Sequence, residues 1–300
     1  MRLSHRLEYA LAWVALGLAR GLSPVAASNF GGGLARAIGP WLAVSRVAER
    51  NLRRALPALD AAGRAAVVRA VWDNLGRTVA EMAHLDALDR TGSGPGWEIA
   101  GEEHIRALAA GGGPAILFSA HLANWEILPR VALAFGVPVA GMYRAPANPA
   151  VDRLVGGLRR RALGYPLPMF PKGARGGRQA LAHLRAGGFL ALLMDQKLDN
   201  GIPAPFFGDI AMTAPALAQF ALRFGCPVVP AHVERIGPAR LRVVCEAPLT
   251  LARSGDEGRD VAALTAAVNA RIETWVRARP GEWLWLHRRW PKEGMDGARA

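Results

Sequence analysis

Pro114-Ala115-Ile116-Leu117-Phe118-Ser119-Ala120-His121-Leu122-Ala123-Asn124-Trp125-Glu126 decides how this chain is read. The apolar run 114–118, preceded by Gly111-Gly112-Gly113, has the length and composition of a buried strand, and from Asn124 onward the apolar spacing is that of a helix. His121 then sits in the turn where strand becomes helix. Two residues five apart on one continuous helix lie about 140° apart and do not meet, so His121 and Glu126 come together only if the histidine precedes the helix and leans onto its first turn. Such a pair is a base and its orienter: a carboxylate on one imidazole nitrogen fixes the tautomer and leaves the other nitrogen to take a proton from a hydroxyl. The plainer alternative has His121 capping the helix and Glu126 favouring its positive end.

Outward from this turn, short apolar runs alternate with helical stretches. Strands are expected near 114–119, 138–143, 189–194, 227–233 and 240–245, and helices near 124–135, 149–162, 175–186, 214–224 and 258–278. This alternation indicates an α/β domain with a largely parallel or mixed sheet covered on both faces, whose chemistry gathers beyond the carboxyl ends of the strands. Upstream, 47–88 reads as helical with Trp72, Leu75, Val79 and Met82 on one stripe, and Gly92 to Gly96 forms a short loop before the catalytic part. Leu7 to Leu22 is apolar except for Glu8 and Arg20, which divides the chain into a hydrophobic membrane-anchoring region, 1–46, and a catalytic domain, 47–300. The apolar segment is marginal for a bilayer span. Its flanking arginines favour an uncleaved anchor, or a helix lying in the interface, over a signal peptide cleaved near Val25-Ala26-Ala27.

The chain has 300 residues, 51% of them hydrophobic, and a formal charge of +13, carried by 34 Arg and only three Lys. A strongly cationic chain of this hydropathy suits an anionic membrane surface or an anionic substrate. It lacks a zinc knuckle, a basic zipper or an aromatic-plus-basic strand, which argues against nucleic acid. Cys226 and Cys245 have no paired spacing and read as buried thiols in a reducing compartment. The sequence has no G-x-S-x-G elbow, P-loop, complete G-x-G-x-x-G or H-E-x-x-H, which removes support for a serine acyl-enzyme, nucleotide hydrolysis, dinucleotide redox chemistry and zinc proteolysis.

Three further groups carry chemical signals. Arg144 falls in a loop after the second strand. Met169 to Gly177 places Lys172 and Arg175 among three glycines where a loop enters a helix, an arrangement suited to phosphate. Asp195 and Gln196 end an otherwise apolar strand in the same layer of loops. Among the histidines without a catalytic motif, His287 stands apart in Trp283-Leu284-Trp285-Leu286-His287-Arg288-Arg289-Trp290, which reads either as a lipid-facing element or as a packed C-terminal core segment.

Taken in order, His121 to Glu126, Tyr143-Arg144, Lys172 to Arg175, Asp195-Gln196, Phe206-Phe207-Gly208, Cys226 to Pro230 and Trp285 to Arg289 resemble the bacterial lipid A biosynthesis acyltransferase family over about 105–291. The H-x4-D/E spacing is shared with glycerol-phosphate acyltransferases, and Phe170 to Arg175 is similar to the phosphate-binding motif of that wider group, with Lys172 in place of its usual Glu. The resemblance implies a glycerol-phosphate-acyltransferase-like mixed sheet flanked by helices, with an N-terminal hydrophobic helix. It implies His121 and Glu126 as the catalytic pair, with Asn124, Arg144, Lys172, Arg175, Asp195 and Gln196 at the substrates, and neither metal nor cofactor. The implied donor is fatty acyl on acyl carrier protein or CoA. The implied acceptor is an anionic glycolipid, Kdo-bearing lipid IVA, met at the cytoplasmic face of the bacterial inner membrane. An acyl-CoA enzyme of the same fold acting on a phosphatidylinositol mannoside or ornithine lipid is the nearest alternative, and a non-catalytic lipid-binding protein is a remote one.

Overall fold

The computed structural model describes residues 3–143, 146–251 and 253–291. Four helices open the chain: α1 (Leu3–Arg20), α2 (Pro24–Ile38), α3 (Ser45–Ala55) and α4 (Ala61–Glu81). Local chemistry sets two of their starts. The Ser23 hydroxyl accepts from Ala26 N ahead of Pro24, and the Asp60 carboxylate accepts from Gly63 N. α2 packs on α4 at backbone distance, because a Cβ on Gly31 would lie 2.5 Å from the Gly76 carbonyl oxygen and one on Gly76 2.1 Å from that of Gly31.

The stripe expected on 47–88 packs inward only in part: Trp72 and Met82 lie half-buried against the core. α4 buries Val68, Val71, Asn74, Thr78 and Glu81, while Val79 is exposed. Three polar residues win the inner face because each has a partner there: Asn74 and Thr78 donate to the Ala123 carbonyl, and Glu81 accepts from Asn124.

A seven-stranded sheet forms the centre. In chain order its strands are β1 (Gly96–Ala100), β2 (Ala115–Ser119), β3 (Val139–Tyr143), β4 (Met169–Pro171), β5 (Phe189–Leu193), β8 (Val228–Gly237) and β9 (Arg240–Cys245), and in space they run β1-β9-β8-β2-β5-β3-β4. β8, β2, β5, β3 and β4 are mutually parallel, and only the β8–β9 pairing is antiparallel. A separate hairpin, β6 (Ile202–Phe206) with β7 (Asp209–Thr213), lies outside the sheet. The remaining helices are α5 (Glu102–Gly111), α6 (Leu128–Ala134), α7 (Pro149–Leu163), α8 (Ala174–Arg185), α9 (Ala216–Phe224) and α10 (Glu257–Ala278).

The period-two alternation of β2 builds both faces of the core. Ile116 and Phe118 pack with residues of α8, α9 and α10, whereas Ala115 and Leu117 pack with residues of α5 and α6. β2 is buried throughout and lies in the middle of the sheet, as a strand carrying continuous apolar sequence should.

At the N-terminus α1 forms where a hydrophobic helix is expected, but among the described residues no helix is long and apolar enough to cross a membrane. Leu7, Leu11, Trp13, Val14 and Leu18 of α1, Phe30, Leu34 and Ile38 of α2, and Trp41 at 88% exposure are nevertheless open to solvent. The tryptophan-rich C-terminal stretch resolves in favour of the core. Trp283, Trp285, Arg289 and Trp290 are buried, with Arg289 donating to Met212 O and Thr213 Oγ1.

Candidate active site

Parallel register builds the site. Ser119 of β2 stands opposite Leu193 of β5, so two residues further along each chain His121 and Asp195 emerge side by side. His121 Nδ1 lies 2.8 Å from Asp195 Oδ1, and the His121 backbone N–H donates to Oδ2 at 2.9 Å. Trp283 Nε1 donates to the same Oδ2 at 2.7 Å. Asp195 is 1% exposed. Burial alone would raise its carboxyl, but the charge and hydrogen bonds of His121 outweigh that and hold it well below the usual carboxylate range. An ionised carboxylate only accepts, so Nδ1 donates to it, and in the neutral ring the lone pair is left on Nε2.

The carboxylate bonded to His121 is therefore Asp195, not Glu126. Glu126 was expected on His121, and Asp195 at a substrate. Glu126 instead forms a two-point ion pair with Arg159 of α7, Nη2 to Oε1 at 2.7 Å and Nε to Oε2 at 2.8 Å, and Trp125 Nε1 also donates to Oε1 at 3.2 Å. The physical reason is the turn. Ala123 takes a left-handed φ of 46°, and Trp125–Ile127 form a 3-10 turn before α6, so Glu126 faces α7 rather than the imidazole. Desolvation would lower the Arg159 guanidinium, but Glu126 outweighs it and keeps the guanidinium above its ordinary value.

The turn itself is pinned from two sides. Ala123 N donates to Glu282 O and Leu284 N to His121 O, both at 3.0 Å, while Thr78 and Asn74 of α4 take the Ala123 carbonyl. Asn124, expected at a substrate, is fully buried and donates to Glu81 Oε2 at 2.9 Å.

A cavity of about 360 Å³ opens beside His121. Trp125, Glu126, Tyr143, Asp152, Arg159 and Gln196 supply its polar wall, and Leu117, Val131, Val139, Leu167, Ala191, Val243 and Cys245 an apolar one. Asp152, Val155 and Arg159 reach it from one face of α7 at helical spacing. Gln196 Nε2 stands 3.5 Å from His121 Nε2 and 3.3 Å from His287 Nε2. The His287 ring stands edge-on to His121 with centroids 5.1 Å apart, and burial followed by the charge of His121 lowers its pKa.

Lys172 sits in the exposed β4–α8 turn and Arg175 in the first turn of α8, at the same end of the sheet as His121. β4 is three strands from β2, so this turn is roughly 14 Å across the sheet from the His121 strand, and neither residue lines the cavity among the described residues. Arg144 lies outside the described residues. Sequence reasoning passed over Arg159 and Trp283. Arg159 shares one face of α7 with Asp152 and Val155, but the helix also carries Arg153, Arg160 and Arg161, so the sequence does not single it out, and Trp283 carried no signal beyond its place in an aromatic run.

Both cysteines are free and buried, and burial pushes the Cys226 thiol up to about 11 and the Cys245 thiol up to about 12. Among the described residues no group of histidine, cysteine and acidic side chains is arranged to hold a metal ion.

No curated protein matches the chain. Among solved structures, the crystal structure of the 1-acyl-sn-glycerophosphate (LPA) acyltransferase PlsC from Thermotoga maritima is similar at 13% identity with a TM-score of 0.38, covering 93% of this chain and 99% of that one. So distant a likeness carries no argument about the site. The sequence itself is decisive, because residues 2–292 match the family described as bacterial lipid A biosynthesis acyltransferase, and the chain belongs to that family.

Proposed function

We propose that this acyltransferase moves a fatty acyl chain from an acyl carrier protein thioester to a hydroxyl of a lipid A precursor. Membership of the family supports acyl transfer to lipid. The observation that carries the mechanism is His121, whose Nδ1 is locked on buried Asp195 while its ring lines a largely apolar cavity of about 360 Å³.

In the proposed reaction the acceptor hydroxyl loses its proton to His121 Nε2 as its oxygen attacks the thioester carbonyl carbon. Asp195 stabilises the imidazolium that forms without itself taking the proton. The tetrahedral oxyanion then collapses, the C–S bond breaks, and the departing thiolate recovers the proton from Nε2, leaving ester and thiol. Arg159 is the cation among the described lining residues and supplies positive charge to the oxyanion or to the donor's phosphate. Glu126 holds that guanidinium in place. The solvent-exposed apolar side chains of α1 and α2 support attachment to a membrane surface, which we assign to the inner-membrane cytoplasmic face where an acyl carrier protein is met.

Lys172 and Arg175, beyond the cavity, suit an extended anionic acceptor headgroup. An acyl-CoA donor and a different glycolipid or ornithine-lipid acceptor are the alternative. Mass spectrometry of membrane lipids from a host lacking its own late acyltransferases tests the reading: added acyl chains on lipid A precursors support it, and modification of another lipid class alone replaces it.

A further inference from the structure

Glu81, at the end of α4, is fully buried yet carries a carboxylate on which donors from four separate parts of the chain converge. Ser28 Oγ of α2 donates at 2.7 Å, Asn124 Nδ2 of the catalytic turn at 2.9 Å and Ala239 N of the β8–β9 turn at 3.1 Å, and Arg235 of β8 pairs with it at shorter range. Arg235 continues the network to Asn74 Oδ1 at 2.9 Å and Thr78 Oγ1 at 3.2 Å. Those two residues hold the carbonyl of Ala123, whose positive φ is disfavoured for a residue with a Cβ and persists only if its surroundings impose it.

A buried ion pair is a poor device for stability, since well-packed apolar residues of similar volume do as well or better. What it can do is fix one geometry. We infer that Glu81 is a positioning residue for the reaction proposed above: through Asn124 and the Arg235–Thr78–Asn74 chain it sets the turn that aims His121, and through Ser28 it makes α2 part of the catalytic scaffold. The backbone contact of Gly31 with Gly76 keeps Ser28 in reach. On this account the N-terminal region is not a detachable anchor. Its second helix, through Ser28 near its start, donates to the carboxylate that supports the base.

The test uses the full-length protein in mixed micelles and compares wild type with E81Q and with the double variant E81L/R235M, which replaces the pair by apolar groups. In the first readout, kcat for transfer falls by roughly ten- to a hundredfold in both, with the donor KM within about twofold, as expected when a reacting group is displaced by about an ångström. The second readout is the low-field Nδ1 proton resonance of the His121–Asp195 pair, identified by its loss in H121A. It shifts or broadens in both variants while circular dichroism and thermal midpoint show the double variant folded. Should the double variant fail to fold, E81Q alone carries the same two readouts. Turnover within about threefold of wild type with an unmoved resonance in a folded variant overturns the proposal. The resonance needs no substrate, so a wild type inert towards every acyl donor and acceptor defeats the reaction assigned above, while an unmoved resonance defeats the role of Glu81.

Discussion

Arg159 and Glu126 meet as a two-point ion pair on the wall of the cavity, with nitrogen-to-oxygen distances of 2.7 and 2.8 Å, and the two side chains are respectively 22% and 9% exposed. The pair makes Glu126 a residue that acts through Arg159. E126Q and R159M should then each lower kcat by about 10²-fold, in the range for loss of one preorganised electrostatic donor. The E126Q/R159M double variant should be little worse than either alone, since both changes remove the same element. Multiplicative losses in steady-state assays would instead mean that Glu126 acts on its own.

Asp195 gives a sharper outcome. D195N keeps the shape but removes the charge and lets the side chain donate, which favours the wrong imidazole tautomer, and kcat should drop on the order of 10³-fold. Full activity in purified D195N would remove the His121–Asp195 mechanism.

The same carboxylate links pH to stability. Its folded-state pKa is lowered below the ordinary value of about 3.9, so its contribution is fully present above that value and is lost as pH falls through the lowered one. Chemical denaturation of wild type should show stability declining below about pH 4. D195N, lacking the titrating group, should be less stable at neutral pH and show a flatter acid limb.

On the proposed reaction the cavity would set what the donor can carry. Cys245 lines it at the β9 end, away from the strand that bears His121. C245W should cut kcat/KM for long-chain acyl donors by about tenfold or more relative to short-chain ones, at a packing cost of about 1–3 kcal/mol. A chain-length series measured on one acceptor decides it, and uniform loss at every length would place the alkyl chain elsewhere.

Membrane attachment should be interfacial. F30E/L34E, on the exposed side of α2, should reduce sedimentation with anionic vesicles by tenfold or more, since burying each such side chain is worth about 1.5–3 kcal/mol, with little change in thermal midpoint. Alkaline carbonate should release much of the wild-type protein. Retention in the pellet after that wash would indicate a span instead.

Neither cysteine should take part. With thiols raised to about 11 and 12 by burial, both should resist alkylation at pH 8, and kinetics should be sequential with no acyl-enzyme on donor alone. An acid-trapped acyl-protein mapped to any side chain would overturn direct transfer.

The alternation of short apolar runs with helical stretches was legible as an α/β sheet because it is a local property, written in periods of 2 and 3.6 within each element. β2, β3, β5, β8 and β9 lie where those periods place them, and His121 lies in the turn they predict. β1 and β4, and the β6–β7 hairpin with Pro203 and Pro205 in β6, went unread, because short edge or hairpin strands carry too little pattern to stand out. Partners across the sheet are another matter. Sequence proximity paired His121 with Glu126, five residues away, whereas strand register paired it with Asp195, seventy-four residues away. The inner face of α4 is only partly legible for the same reason, since Asn74, Thr78 and Glu81 look like solvent-facing residues until the backbone they serve is present. Sequence alone determined most element types, the place of His121 in its turn and the family, since each rests on neighbours along the chain. Only the tertiary structure decided which carboxylate orients the base and which one holds an arginine, because a hydrogen bond forms between groups brought within about 3 Å, whatever their separation in the chain.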